Sequence, residues 1–324
     1  MAYAIVAPRP GGAEILERRD IDPPRPKNGE VLIRHTAIGV NFIDVYFRTG
    51  SYPWPVERDL VLGSEGAGVV EAVGEGVTEF KPGDRVAYTV PNGAYATHRT
   101  LSAAALVRLP ENVKDEQAAG AMLKGLTVHY LIHHSYAVQK GDTVLVHAAA
   151  GGVGQIAGQW LKAKGVRAIG TAGGAEKCAL AKEAGYDAVI DYNSGDWVEE
   201  VKNLTDGEGV AAVYDGVGTD TILGSVAVLR RFGTLVSFGQ ASGAPDQFRI
   251  SHLAGNSLRL TRPTLFHHTA SRDWLTGAAA DLFAVIADGS VRIETGTPSP
   301  LEKVAEVHAA LEARKTTGST ILMP

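Results

Sequence analysis

The spacing of apolar residues changes near residue 125. Up to about residue 120 they come in short β-like runs, such as Val31–Ala37, Gly68–Val73 and, after the turn Lys81-Pro82-Gly83-Asp84, Arg85–Tyr88. The glycines and prolines between these runs predict a compact β-rich domain with bent strands. Beyond residue 125 strand and helix patterns alternate. Thr143–His147 is a β-branched run, and Val153, Ile156, Ala157, Trp160 and Leu161 then recur at helical spacing up to the stop at Gly165. Strands are predicted at Arg167–Gly170, Ala188–Ile190, Val210–Tyr214 and Thr234–Phe238, with helices at Glu176–Ala184, Asp196–Leu204 and Thr221–Leu229. This alternation predicts an α/β fold, a doubly wound parallel sheet of the Rossmann type. After about residue 262 come two helical segments, Trp274–Ala287 and Leu301–Ala313, and a short strand, Thr320–Met323. Three such pieces make a poor core, so the tail is expected to return to the first domain. The expected division is residues 1–124 with 262–324 as the β-rich domain, and 125–261 as the Rossmann insertion.

The predicted strand Thr143–His147 runs into Ala148-Ala149-Ala150-Gly151-Gly152-Val153-Gly154, which opens directly into the amphipathic helix. A pyrophosphate needs this arrangement: glycines for a tight turn and close backbone approach, and free N–H groups at a helix start. Ala150, Gly151, Gly152 and Val153 are therefore candidate cofactor contacts, and Gly154 would let the helix pack on the strand. A carboxylate that would bind the ribose hydroxyls of NADH is expected at the end of the second strand. Residues 170–174 read Gly-Thr-Ala-Gly-Gly and carry none. Lys177 follows, placed either to pair with a 2′-phosphate or to stand in solvent as an ordinary helix lysine. The missing acid favours NADPH.

Composition narrows the alternatives. The 324 residues are 45% hydrophobic and 21% charged, which suits a globular protein and not a disordered one. A net charge of -5 gives no field for gathering nucleic acid or anionic membranes. The N-terminus lacks the apolar core of a signal peptide, and no stretch approaches the ~20 apolar residues of a membrane span, so the expected location is cytoplasmic. Cys178 is the single cysteine and falls among apolar neighbours, which suits a core position better than a nucleophile. One cysteine cannot build a thiolate-rich zinc site, and His133-His134 and His267-His268 are adjacent pairs that point apart. His129 and His133 could share a helical face but have no third ligand at suitable spacing, so no metal is expected. Gly-x-Ser-x-Gly and His-Glu-x-x-His are both absent, which removes serine hydrolase and zinc protease chemistry.

Several segments together resemble the medium-chain dehydrogenase/reductase superfamily, and within it the zinc-free quinone oxidoreductases related to zeta-crystallin. They are Gly141-Asp142 with Leu145, Ala148–Gly154, Gln159 and Lys162; Ala37–Asp44; Leu123–Thr127; and Val236–Gly239. Gly63-Ser64-Glu65-Gly66 stands where zinc alcohol dehydrogenases carry Gly-His-Glu, with Ser64 in place of the histidine ligand. The resemblance implies a GroES-like catalytic domain split around the Rossmann domain, an active site in the cleft, and a homodimer. It also implies that Gly173, Lys177, Tyr192 and Arg314 hold the 2′-phosphate. Asn41, Thr127, Val153, Phe238 and Gly239 would line the nicotinamide and its ribose, and Tyr46 and Tyr52 would face a quinone. Gln240 stands where some relatives carry Asn.

Hydride transfer from the cofactor C4 needs close approach more than a protein nucleophile. A hydroxyl beside the acceptor oxygen would stabilise the developing oxyanion, and Tyr46 or Tyr52 could supply it; the plainer alternative is apolar wall beside Trp54. Asp44 either orients a tyrosine or caps a helical turn, with the cap favoured. Lys124 either meets a ligand or is solvated. Three functions stay open: an NADPH-dependent quinone reductase, a reductase of activated C=C bonds such as enones and alkenals, and a non-catalytic RNA-binding role that the negative charge disfavours.

Overall fold

The computed structural model describes residues 2–324. The strands in chain order are β1 (Tyr3–Ala7), β2 (Glu17–Asp20), β3 (Glu30–Val40), β4 (Leu60–Val61), β5 (Glu65–Val73), β6 (Arg85–Thr89), β7 (His98–Ser102), β8 (Leu106–Arg108), β9 (Thr143–Val146), β10 (Arg167–Ala172), β11 (Ala188–Asp191), β12 (Val210–Asp215), β13 (Leu229–Ser237), β14 (Arg259–Thr261), β15 (Ser299–Pro300) and β16 (Thr320–Met323). The helices are α1 (Phe42–Thr49), α2 (Asp115–Tyr130), α3 (Gly152–Ala163), α4 (Ala175–Glu183), α5 (Trp197–Leu204), α6 (Ile222–Ala227), α7 (Leu265–Thr269), α8 (Arg272–Ala287) and α9 (Val304–Glu312).

The chain divides into two compact units. The first comprises Met1–Leu126, Phe266–Ala287 and Ile293–Pro324. Its larger sheet runs β15-β16-β3-β5-β6-β8, with β7 also paired to β3, and a smaller sheet runs β2-β1-β4. The last strand, β16, pairs antiparallel with β3 (Thr320 opposite Val40), so the tail completes the sheet begun near the N-terminus. Ile5, Ile33, Ile38, Leu62, Tyr88, Leu106 and Leu322 meet in its core. The β3–β5 ladder slips between His35 and Ala37. Gly68 permits that bulge, because a Cβ there would lie 2.2 Å from the Arg34 carbonyl oxygen.

The second unit comprises Thr127–Leu265 and Asp288–Arg292. Its six strands run β11-β10-β9-β12-β13-β14, all parallel. The order reverses between β9 and β12, the switch point at which such sheets bind ligands beyond their carboxyl ends. Leu145, Ile169, Val213 and Leu235 are buried between the sheet and its helices. Two limits differ from the sequence expectation. α6 stops at Ala227, and β13 begins at Leu229 where helix was expected and strand was placed only from Thr234. Leu229 enters the sheet core, and the ladder then slips between Val210 and Ala212 of β12 while Phe232 takes a φ of 63°. α2 has no apolar stripe because Ala118, Ala119, Ala121, Met122, Leu126 and Val128, on all its sides, are buried. No helix among the described residues is long and apolar enough to cross a membrane.

Candidate active site

In the second unit, β9 ends in a tight crossing onto α3. Ala148 adopts φ 54°, a left-handed conformation costly for a residue with a Cβ, and Gly151 forms the N-cap of α3. Gly154 faces back on the strand, and a Cβ there would stand 2.4 Å from the Ala148 oxygen. Tyr186 pins the same turn by donating to the Gly154 carbonyl at 2.7 Å. The Gly151 N–H donates to the Ala148 carbonyl at 2.9 Å, which leaves the Gly152 and Val153 N–H groups at the start of α3 as the candidate anion donors. Ala150 is buried behind them, and its carbonyl accepts from the Gln155 amide at 2.8 Å.

The turn after β10 is shaped by its neighbour β11. Asp191 accepts from the Gly174 N–H at 2.9 Å and the Asn193 N–H at 3.0 Å, and these bonds hold its carboxyl below the usual range. The Tyr192 ring lies over Gly173, where a Cβ would come within 2.5 Å of the tyrosine hydroxyl. Gly173 and Tyr192 thus meet at one strand end of this unit, and half-buried Lys177 stands in the first turn of α4 that follows. Phe238 and Gly239 follow β13. A Cβ on Gly239 would lie 2.6 Å from the Gly216 oxygen, and one on Gly216 would lie 2.9 Å from the Phe238 ring. Thr127 is buried on α2. Cys178 is half-buried on α4 and not in the core as expected; burial and then Asp191 push its thiol up. His129 and His133 do share a face, with ring centroids 4.4 Å apart, but pack on Trp160.

In the first unit, Glu65 is fully buried and accepts three donors: the Asn41 amide at 2.8 Å, the Leu123 N–H at 2.6 Å and the Lys124 ammonium at 2.7 Å. Lys124 is therefore not solvated. Sequence reasoning left its role open and gave Glu65 none, although a carboxylate beside Ser64 in a run of glycines was the available signal. Gly39 makes the space, since a Cβ there would lie 2.3 Å from Glu65 Oε1. A carboxylate only accepts, so the Asn41 NH2 must face Glu65 and its carbonyl oxygen must point elsewhere.

Asn41 also begins α1. Its N–H donates to Asp44 Oδ2 at 2.9 Å, so Asp44 does cap the helix. Asp44 is fully buried and also accepts from Ser64 at 2.7 Å and Tyr95 at 3.0 Å. Burial outweighs these bonds and pushes its carboxyl up to about 6. Behind Tyr95 lies His308 (2.9 Å to Nε2), and the fully buried Arg48 bonds His308 Nδ1 at 3.1 Å and Glu312 at 2.7 Å. Arg48 can only donate and Asp44 accepts, which fixes the direction: Arg48 to His308 Nδ1, His308 Nε2–H to Tyr95, Tyr95 to Asp44. Burial and then the Arg48 charge hold His308 at about 3, in its neutral form. Tyr46, on α1, and Tyr52 sit with ring centroids 5.2 Å apart, and Phe47 meets the Tyr52 edge at 5.6 Å. Arg314 is exposed just beyond α9, with φ 57°.

Family sequence models match both parts of the chain: the alcohol dehydrogenase GroES-like domain over residues 27–111, and the zinc-binding dehydrogenase domain over residues 152–281. The quinone oxidoreductase of Pseudomonas aeruginosa is 48% identical over 316 residues, 97% of each chain. The chain belongs to the quinone oxidoreductase family of medium-chain dehydrogenases/reductases. Within that family, the crystal structure of the Escherichia coli quinone oxidoreductase complexed with NADPH superposes with a TM-score of 0.96 at 41% identity, covering 99% of this chain and 100% of the other. A 2-haloacrylate reductase from Burkholderia sp. is 38% identical, covering 100% of this chain and 99% of its own.

The zinc implied by the domain's name does not fit this member's residues. Where a ligand would be needed, the Ser64 hydroxyl is spent on Asp44, the Asn41 amide donates to Glu65, and Lys124 neutralises Glu65. No group of three His, Cys, Asp or Glu side chains that could hold a metal occurs among the described residues.

Proposed function

We propose that this chain is an NADPH-dependent quinone oxidoreductase working without a metal. The observation that carries the cofactor is the turn of Gly173 and Gly174: no carboxylate ends β10, Tyr192 covers Gly173, and Lys177 stands on the helix that follows. Similarity to a family member solved with NADPH supports the same cofactor. Gly152 and Val153 bind the pyrophosphate through backbone N–H groups beside buried Ala150, with Gly151, whose own N–H is spent on Ala148, giving the close approach, and Lys177, Tyr192 and Gly173 take the 2′-phosphate. Thr127, Phe238 and Gly239 meet the nicotinamide end. Bound NADPH supplies the hydride. The hydroxyls of Tyr46 and Tyr52 donate to the acceptor oxygen as negative charge develops on it.

A second reading is favoured by the 2-haloacrylate reductase. Reduction of an electron-poor C=C bond uses the same hydride and the same oxyanion donors, so the chain would also accept enones. Purified protein assayed with NADPH against a panel of quinones, enones and 2-haloacrylates separates the two. The proposal predicts that kcat/KM is highest for a quinone; turnover of enones or haloacrylates with no quinone consumed contradicts it.

The protein acts in the cytoplasm as a homodimer. Support for the dimer comes from β14, a sheet edge in the second unit, where Leu260 and Phe232 (59% exposed) present apolar surface around unpaired strand groups. Sedimentation of a single species with the monomer mass would contradict it.

A further inference from the structure

The last residue of β12 is Asp215, a fully buried carboxylate of the kind that ordinarily calls for a basic partner. Instead its carboxylate collects hydroxyl and amide donors. The Val217 and Gly218 N–H groups donate at 2.9 and 3.0 Å, Thr221 at 2.8 and 2.9 Å to its two oxygens, and Ser225 at 2.9 Å. The donors lie in the turn after β12 and at the start of α6, so one carboxylate folds that turn back on itself. Its backbone carbonyl accepts the Phe238 N–H at 2.8 Å.

The same carboxylate reaches the entry of the phosphate loop. Ser225 spends its proton on Asp215, so its oxygen accepts from His147 Nε2 at 3.0 Å. His147 Nδ1 is then bare and accepts from Thr171 at 2.8 Å. Burial lowers the basicity of His147, in keeping with this neutral form. His147 immediately precedes Ala148, the left-handed residue of the loop. On the other side, Ala241 and Ser242 donate their N–H groups to Gly216 and Val217 at 3.2 and 2.8 Å, and the Phe238 ring and Gly239 backbone rest on Gly216.

We propose that Asp215 is a positioning residue for hydride transfer. It fixes the peptide around Phe238 and Gly239 relative to the phosphate loop, so that a cofactor anchored at its pyrophosphate presents its nicotinamide at one set distance and angle. This rests on the NADPH reading above. The contacts of Asp215 do not include the turn at Gly173 and Gly174, so it has no part in holding the 2′-phosphate.

The test uses Asp215→Asn and, because that change leaves buried donors short of an acceptor, the milder Ser225→Ala, which removes one donor to Asp215 and with it the link to His147. Single-turnover oxidation of NADPH by a quinone is followed in each, with cofactor carrying hydrogen or deuterium at the transferred C4 position. In parallel, 2′,5′-ADP is titrated as a probe of the phosphate end alone. The expected result is a roughly tenfold or greater fall in the transfer rate, with an increased isotope effect and the 2′,5′-ADP Kd unchanged. An unchanged transfer rate in Ser225→Ala overturns the proposal, and so does a parallel loss of 2′,5′-ADP binding. Failure of the wild-type protein to bind 2′,5′-ADP would instead strike the cofactor reading.

Discussion

The Lys124 ammonium lies 2.7 Å from the Glu65 carboxylate, with Glu65 wholly buried and Lys124 6% exposed. A surface pair of this kind contributes little, but a buried one is costly to break from one side, because the partner keeps a charge that water no longer reaches. Lys124→Met should therefore lower unfolding stability by about 3–5 kcal/mol, with the double variant Glu65→Gln/Lys124→Met losing less. Urea denaturation measures both. Equal losses in the two variants would show that packing, and not the unpaired carboxylate, sets the cost.

The chain from Arg48 to Asp44 makes stability depend on pH with two opposite signs. His308 has its folded pKa at about 3, below its unfolded value, so its contribution is fully present above about 6.5 and is lost as pH falls towards 3. Asp44 has its folded value raised to about 6, so its protonated form favours the folded state, and stability from it declines as pH rises from about 4 to 6. His35, also held at about 3 by burial and then Arg99, adds to the first effect. Urea midpoints between pH 4 and 7 should show net acid destabilisation. That loss should be shallower in His308→Gln by roughly 3 kcal/mol at pH 4, and steeper in Asp44→Asn. Variants with the wild-type slope would contradict the assignment.

Much of this fold was legible because its signals are local. The run from Thr143 to Gly154 declares strand, turn and helix by composition alone, and the missing acid after β10 is visible as Gly170–Gly174. What could not be read depends on residues far apart in the chain. Lys124 looks like any helix lysine until Glu65, 59 positions earlier, is placed beside it. Asp215 closes a turn whose purpose shows only when Gly216 meets Phe238. Helix α2 has no apolar stripe to read because it is buried on every side, polar Lys124 and Thr127 included, and the early start of β13 was hidden by a slip in its ladder.

Gly173→Ala tests the turn that Tyr192 covers. The added Cβ would fall 2.5 Å from the Tyr192 hydroxyl, and Tyr192 is 41% exposed, so the ring can swing away at little cost in stability. NADPH affinity should fall about tenfold, a change of roughly 1.4 kcal/mol, with the thermal midpoint nearly unchanged. Fluorescence titration measures the affinity; an unaltered NADPH Kd would remove Tyr192 from the phosphate site.

Lys177→Ala should weaken NADPH binding and leave NADH binding as it was, since only the 2′-phosphate meets the ammonium. Equal weakening of both cofactors would place Lys177 elsewhere on the dinucleotide, and no weakening of either would leave it a solvent-facing helix lysine.

The central claim, hydride transfer from NADPH to a quinone, is tested most directly by rapid mixing. NADPH-loaded protein is mixed with 1,4-benzoquinone, and the loss of nicotinamide absorbance is followed against the same reagents without protein. The account predicts a protein-dependent rate that saturates with quinone, slows with deuterium at the transferred position, and is at least tenfold lower with NADH at equal concentration. A rate no faster than the protein-free reaction would contradict it.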